Sequence, residues 1–501
     1  MVASKVSPSF LAALALFVFP ATVALTSYPA YYEDESWVYL APFEALRGNG
    51  FSWAAFHEGR ASALVFNAVT FPFVRVLPFP AETTVRLTSL LFGLAAAIAV
   101  FAAARVFAGS GAAVAPVLLM LTPMWFLTAR YGRADMLAIA LALASVAAAA
   151  ARWPLAAGAF SGLAMSVHPF FVWIGPLCAL ILIDRCGIRS VLRYALGGLL
   201  GALPQLAWMA AHFRDYQSIA ARYFVTSGVG KGWTSSVLKE WTRYWAYAAQ
   251  ITGLEAATQA VAFVVLPAVA IIRASRRERL PLIAIAFVPL LGLAMLVGRK
   301  NPYYFIYALP FLAILSAAAV RNVRRRLVEI ACLIVLCAAA MNYAPQVRIA
   351  AKAPTVTQMV ESVSSKLPQD AVVFSPLIYG GLIRRRPDLT LFTYHSLSVR
   401  NRWALPACEE IPRAIQSLIT EDPRPSSVQR NPDRIFFLSF PDPLSYLRLI
   451  YVEATPADVT CIVGSAAPEI VHVCGSDAGN CIDSLLFERG LKASRSAVEH
   501  D

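Results

Sequence analysis

The chain has 501 residues, 58% hydrophobic and only 15% charged, with a mean hydropathy of +0.60. That leaves too little polar surface to coat one water-soluble globule, which excludes a soluble enzyme. The net charge of +13 comes from basic residues in short clusters between apolar runs, so it reads as a membrane topology signal rather than a nucleic-acid footprint.

The stretch from Pro8 to Ala30 carries no charge and exceeds the roughly 20 residues that cross a hydrocarbon core, making it the first predicted span. Lys5 before it also fits a secretory signal peptide, but the apolar pattern resumes many times, which favours a retained anchor. A long outer loop, 28–85, follows. Two half-apolar stretches in it read as helices lying in the interface: one through Trp37, Val38, Leu40, Phe43 and Leu46, the other through Leu64, Val65, Phe66, Val69 and Phe71. Further spans are predicted near 86–107, 111–129, 135–151, 154–167, 170–184, 195–212, 256–272, 281–298, 303–320 and 327–343, about eleven in all. The pair within 154–184 is divided by the His168-Pro169 break.

If the spans alternate, Lys5, Arg105, Arg152, Arg185, Arg189, Arg193, Arg273, Arg276, Arg277, Arg279, Arg321, Arg324, Arg325 and Arg326 all fall on one side. By the positive-inside rule that side is the cytoplasm. The N-terminus is then inside and the C-terminus outside. Function is expected in the outer segments: the first loop, Arg130 to Ala134, the turn at His168, Phe213 to Glu255, Arg299 to Pro302, and everything after Met341.

After Ala353 the apolar density falls and the period alternates between helix and strand, so residues 346–501 are expected to form an extracytoplasmic α/β domain. Val356, Met359, Val360, Val363 and Leu367 follow one helical face. Strands are predicted at Ala371 to Phe374, Leu389 to Tyr394, Arg434 to Phe440 and Ile470 to Cys474, and helices at Glu409 to Leu418 and Leu444 to Val452. Cys408, Cys461, Cys474 and Cys481 allow three connectivities, and an oxidising compartment favours one or two disulfides. The sequence has no Asn-x-Ser/Thr sequon, which favours a bacterial envelope over an ER lumen. With the C-terminus outside, the expected location is a bacterial inner membrane with a periplasmic C-terminal domain.

Several outer clusters could carry chemistry. Glu33-Asp34-Glu35 follows the first span. A carboxylate there could deprotonate a hydroxyl or hold a divalent cation against a lipid-linked phosphate, and Asp34 also reads simply as a helix cap. Arg130-Tyr131-Gly132-Arg133-Ala134-Asp135 offers guanidiniums for a phosphate, or two snorkelling arginines and a capping aspartate. His168 could bind a phosphate or a metal, or only mark the helix break. Arg222, Tyr223 and Lys231, followed by Trp241, Tyr244, Trp245 and Tyr247, read as a sugar-stacking surface or an aromatic belt. Arg299, Lys300, Tyr303 and Tyr304 bring cations and phenols to the mouth of a span, which suits a phosphate clamp.

In order and topology the first 345 residues resemble the membrane glycosyltransferases of the GT-C superfamily that use polyprenyl-phosphate sugars, such as the protein O-mannosyltransferases and the lipid A aminoarabinose transferase. The likeness rests on four segments taken in order: Asp34-Glu35 after the first span, Arg86-Leu87-Thr88-Ser89 entering the second, Arg130, Arg133 and Asp135 before the fourth, and Arg299-Lys300-Asn301-Pro302-Tyr303-Tyr304 running to Pro310. Paired prolines are absent near Ala61 to Leu64, and His168 stands where relatives commonly show lysine. The resemblance implies an α-helical polytopic membrane fold. It also implies transfer of a sugar from a polyprenyl-phosphate donor to a glycan, lipid or protein acceptor, with inversion. Asp34 would be the base or the metal-positioned carboxylate, with Glu35 beside it. Arg130, Arg133, His168, Arg299, Lys300 and Tyr303 would meet the phosphate, supported by Asp135 and Tyr304. A lipid flippase is the main alternative and a non-catalytic assembly protein a third. A transporter places its charges at the midplane of related repeats, whereas here they sit at outer helix ends.

Overall fold

The computed structural model describes residues 7–26 save 24, 64–120 save 80, 122–211, 213, 237–249, 251, 253–297, 302–375, 382, 385–386, 388–392, 407–421, 434–439, 456–463, 467–474 and 481–490. The expected interfacial helix through Trp37 and the helix at Leu444 to Val452 lie outside the described residues, as do Arg222, Tyr223 and Lys231.

Helix α1 (Pro8–Thr22) begins with Pro8 in its first turn, behind Ser7, whose hydroxyl accepts from the Phe10 amide. The Glu329 carboxylate accepts from Ser7 Oγ at 2.7 Å and from the Ser9 amide at 3.1 Å, placing a negative charge at the positive end of α1. Helix α2 (Leu64–Val76) covers the second half-apolar stretch of the outer loop. It buries Phe66 edge-on against Phe92 and exposes Val69.

Helix α3 (Ala81–Ala108) is followed by α4 (Val114–Met120), α5 (Pro123–Arg130) and α6 (Asp135–Ala150), the last two meeting at a bend of 115°. The chain then runs through α7 (Pro154–Val167), a 3₁₀ turn at Pro169–Trp173, α8 (Ile174–Cys186) and α9 (Arg189–Ala211). Glycines let α7 and α9 touch backbone to backbone. A Cβ on Gly162 would lie 2.2 Å from the Gly198 carbonyl oxygen, and one on Gly158 would lie 2.0 Å from that of Tyr194. Helix α10 (Glu240–Ala248) precedes α11 (Gly253–Ala260), which continues through a π turn into α12 (Leu266–Arg273). Helix α13 (Arg276–Leu296), a 3₁₀ turn at Pro302–Tyr307, α14 (Leu309–Ala319) and α15 (Arg325–Ala351) complete the bundle.

Five helical segments among the described residues are long and apolar enough to cross a membrane, six if the bent pair α5 and α6 counts as one span. The remaining segments behind the expectation of eleven include apolar helices of only 10–17 residues, among them Pro154–Val167 and Leu309–Ala319.

Beyond α15, helix α16 (Val356–Ser364) opens with a Thr355–Gln358 capping box and leads to a five-stranded sheet. The strands are β1 (Val372–Phe374), β2 (Thr390–Phe392), β3 (Arg434–Ser439), β4 (Glu469–Cys474) and β5 (Cys481–Gly490), in the order β2-β1-β3-β5-β4. Strand β1 pairs parallel with β2 and β3, while β5 runs antiparallel between β3 and β4. Side chains alternate across the sheet: Val372, Phe374, Ile435 and Phe437 pack with α17 (Ile411–Glu421) and α18 (Pro456–Val463) through Ile411, Ile415 and Ile462. Val373, Phe436 and Leu438 belong to the core that also holds Val360 and Val363 of α16. Four of the strands fall where predicted; β5 and α18 are additions. Cys408 and Cys461 form a disulfide that ties the start of α17 to α18 across 53 residues. Cys474 and Cys481 are register partners on β4 and β5.

Candidate active site

The bend between α5 and α6 brings charge into the protein interior. Asp135 opens α6, and Arg133 Nε lies 2.9 Å from its Oδ2; the two residues are 1% and 7% exposed. Asp135 Oδ1 accepts a hydrogen bond from the hydroxyl of Tyr307, which is fully buried and comes from the 3₁₀ turn ahead of α14. His168 follows α7, and its Nδ1 accepts from the Phe170 amide at 3.3 Å, so in the neutral ring the proton sits on Nε2. That Nε2 is 3.3 Å from the Tyr307 hydroxyl. A connected chain therefore runs from imidazole to phenol to carboxylate to guanidinium, assembled from three places: the α5–α6 bend, the end of α7 and the turn ahead of α14.

A tyrosine cluster extends the site sideways. The Arg133 guanidinium stands 5.2 Å from the Tyr303 ring centre, and Tyr304 lies 5.7 Å from Tyr303 and 5.9 Å from Tyr307. On the far side of Tyr304, at 5.8 Å from its ring, is Arg243 of α10. Arg243 is fully buried, donates to Glu240 at 2.7 Å and to the Val297 carbonyl at 3.1 Å, and so ties α10 to the end of α13. Sequence reasoning missed Arg243, Glu240 and Tyr307. The signal for the first two was an acid–base pair three residues apart among aromatics. Trp241 and Trp245 on the same helix are 64% and 72% exposed, as an aromatic belt would require.

A second pair of arginines is buried at the end of α1. Arg130 is fully buried and donates to the carbonyls of Ala21 at 2.9 Å and Val23 at 2.7 Å, and Arg86 donates to that of Leu25 at 2.8 Å. The last carbonyls of a helix have no partner within it, and these cations satisfy the end of α1 and the chain just after it. Arg130 thus stands beside the site, with one contact from each terminal nitrogen on the backbone at the end of α1. The segment that Arg86 and Arg130 hold leads in sequence toward Asp34. Ser89 Oγ donates to the Arg133 carbonyl at 3.2 Å, fastening α3 to the bend.

Of the residues singled out from sequence, the structure gathers Arg133, Asp135, His168, Tyr303 and Tyr304, with Arg130 adjoining. Asp34, Glu35, Arg299 and Lys300 lie outside the described residues. The described donors do not fit a divalent cation. Among them no three His, Cys, Asp or Glu side chains converge, and the buried carboxylates Asp135 and Glu240 each already face an arginine.

No family model and no curated protein matches this chain. A solved structure does. The protein is similar to the crystal structure of ArnT from Cupriavidus metallidurans in the apo state, with a TM-score of 0.55 and 15% sequence identity over 95% of this chain and 97% of that one. The fold is therefore ArnT-like, a helical bundle with membrane-length apolar helices and a small sheet.

Proposed function

We propose that the protein is a membrane glycosyltransferase that moves a sugar from a polyprenyl-phosphate donor to an envelope glycan, lipid or protein acceptor on the outer face, with inversion at the anomeric carbon. The observation that supports this reading best is the convergence of Arg133, Asp135, His168, Tyr303 and Tyr307 at one end of the bundle, within an ArnT-like fold. A transporter would place such charges midway along its helices.

In this reading Asp34 takes the proton of the acceptor hydroxyl and Glu35 shapes its field. The acceptor oxygen attacks the anomeric carbon as the bond to the phosphate oxygen breaks, and polyprenyl phosphate leaves with two negative charges. Arg130, Arg133, Arg299 and Lys300 offset that charge and Tyr303 donates a hydrogen bond to it, with His168 acting on the site through its Nε2–H on Tyr307. Asp135 and Tyr304 hold the cations in place. The Cys408–Cys461 disulfide supports an oxidising compartment for the C-terminal domain and so a periplasmic location beside a bacterial inner membrane.

The test is to incubate the purified protein with a labelled polyprenyl-phosphate sugar and an envelope extract. Transfer of label to an acceptor is expected, and Asp34→Asn should lower its rate by at least about 10²-fold. Movement of the lipid across vesicles without transfer identifies a flippase, and neither activity leaves a scaffold. Full activity in Asp34→Asn removes that residue from the mechanism.

A further inference from the structure

The bundle carries a charged cavity at the helix ends opposite the site. It has a volume of about 520 Å³ and is lined by Val106, Phe107, Arg152, Asp184, Arg185, Glu278, Pro281, Leu282 and Arg321. On α3, Val106 is 17 residues from Ser89, a separation of about 25 Å along the helix axis, so the cavity is distinct from the site around Asp135. Arg152 follows the end of α6 and Arg185 lies in the last turn of α8. Glu278 opens α13, and Arg321 follows α14.

The charges in this cavity are unevenly satisfied. Glu278 accepts from Arg321 at 2.6 Å and from Ser275 in a capping box, which neutralises that pair. Arg185 lies 5.1 Å from the Phe107 ring centre and donates through Nη1 to the Ala150 carbonyl at 3.1 Å, yet its buried Nε has no hydrogen-bond partner. A buried charged donor left open is costly, and an anionic oxygen satisfies it. Arg152 makes no ion pair or hydrogen bond with any described side chain, and its backbone is in the left-handed region at φ 66°, unusual for a residue with a side chain. Two guanidiniums against the single unpaired carboxylate of Asp184, with an apolar wall of Val106, Phe107, Pro281 and Leu282, suit an anion with an apolar attachment.

We propose that this cavity is a second ligand site that binds a phosphate ester between Arg185 and Arg152, at the rim of the bundle away from the transferase site. Phosphate matches guanidinium geometry, and the same group can arrive on an acidic phospholipid or on a soluble ester.

The test uses the full chain in nanodiscs of mixed phosphatidylcholine and phosphatidylglycerol, with retained lipid counted by native mass spectrometry after transfer to detergent. Binding of inorganic phosphate and glycerol 3-phosphate is measured in parallel by calorimetry. Arg152→Gly removes one guanidinium where glycine suits the backbone, so the fold is kept. Arg185→Gln removes the other, and Arg324→Gln removes a cation from the same chain end outside the cavity. Wild type should retain phosphatidylglycerol in preference to phosphatidylcholine. Each cavity variant should weaken this about tenfold, and Arg324→Gln should leave it unchanged. Binding of the soluble esters with the same variant pattern, without lipid preference, upholds the site and makes its occupant soluble. The proposal fails if wild type shows neither preference nor phosphate binding, or if Arg324→Gln loses as much as Arg152→Gly.

Discussion

The two ends of the helical bundle handle charge in opposite ways. At the end holding Asp135, arginines are drawn out of solvent: Arg86, Arg130 and Arg243 are fully buried and Arg133 nearly so, each fixed by carbonyls, carboxylates or tyrosine rings. At the other end the Arg321–Glu278 pair leaves the two side chains 30% and 42% exposed. Both ends contain ion pairs under 3 Å, yet the energetic meaning of the distance differs. Removing one member of a buried pair strands the other without water, whereas a pair at the surface can be replaced by hydration. The buried end is thereby rigid and committed to one arrangement, as a site that must hold a reacting group requires.

That contrast can be broken by substitution. The largest effect is expected for Arg133→Ala, which leaves the buried Asp135 carboxylate without this cation and should cost about 3 to 5 kcal/mol in thermal unfolding. Adding Asp135→Asn should restore much of that loss; no recovery in the double variant would mean that the pair is not the cause. Next is the glycine contact that sets α7 against α9. Gly162→Leu puts a side chain into the Gly198 backbone and should cost about 3 kcal/mol or prevent folding. Gly175→Leu, where no atom lies within 4 Å of an added Cβ, serves as its control in the same assay.

A smaller effect is expected in the C-terminal domain. Arg386 grips Asp388 through two nitrogens, at 2.9 and 2.6 Å, and also donates to the carbonyls of Ser364, Leu367 and Pro368. The Arg386 hydrogen bonds hold the Asp388 carboxyl below its ordinary range. Because the folded value is lowered, the pair's stabilisation is fully present above the unfolded value of about 4 and is lost as pH falls through the lower folded value. Arg386→Gln should cost about 1.5 to 3 kcal/mol at neutral pH and flatten this acid limb in a pH series of melting temperatures. Smallest of all, Arg321→Ala should change stability by only about 0 to 1 kcal/mol; a loss matching Arg133→Ala would erase the distinction between the two ends.

Local pattern made much of the architecture legible. Uncharged runs marked the helices, the i, i+3, i+4 spacing of Val356, Met359, Val360 and Val363 placed α16, and short apolar runs located β1 to β4. Strand β5 escaped because Asp483 and Ser484 interrupt its alternation, and its place is decided by pairing on both edges with β3 and β4. The candidate site was legible at Arg133, Asp135 and His168, which stand at breaks between apolar runs. Tyr307 was not, since within Phe305-Ile306-Tyr307 it reads as one more residue of a span.

By itself the sequence determined which segments leave water and at which helix ends the charges stand, because burial of apolar surface and the periods of helix and strand are properties of neighbouring residues. Only the tertiary structure decided what each charge meets. Arg130 and Arg133 are three residues apart, yet one holds the end of α1 and the other Asp135, because the partners of a buried ion come from remote segments that packing brings to it.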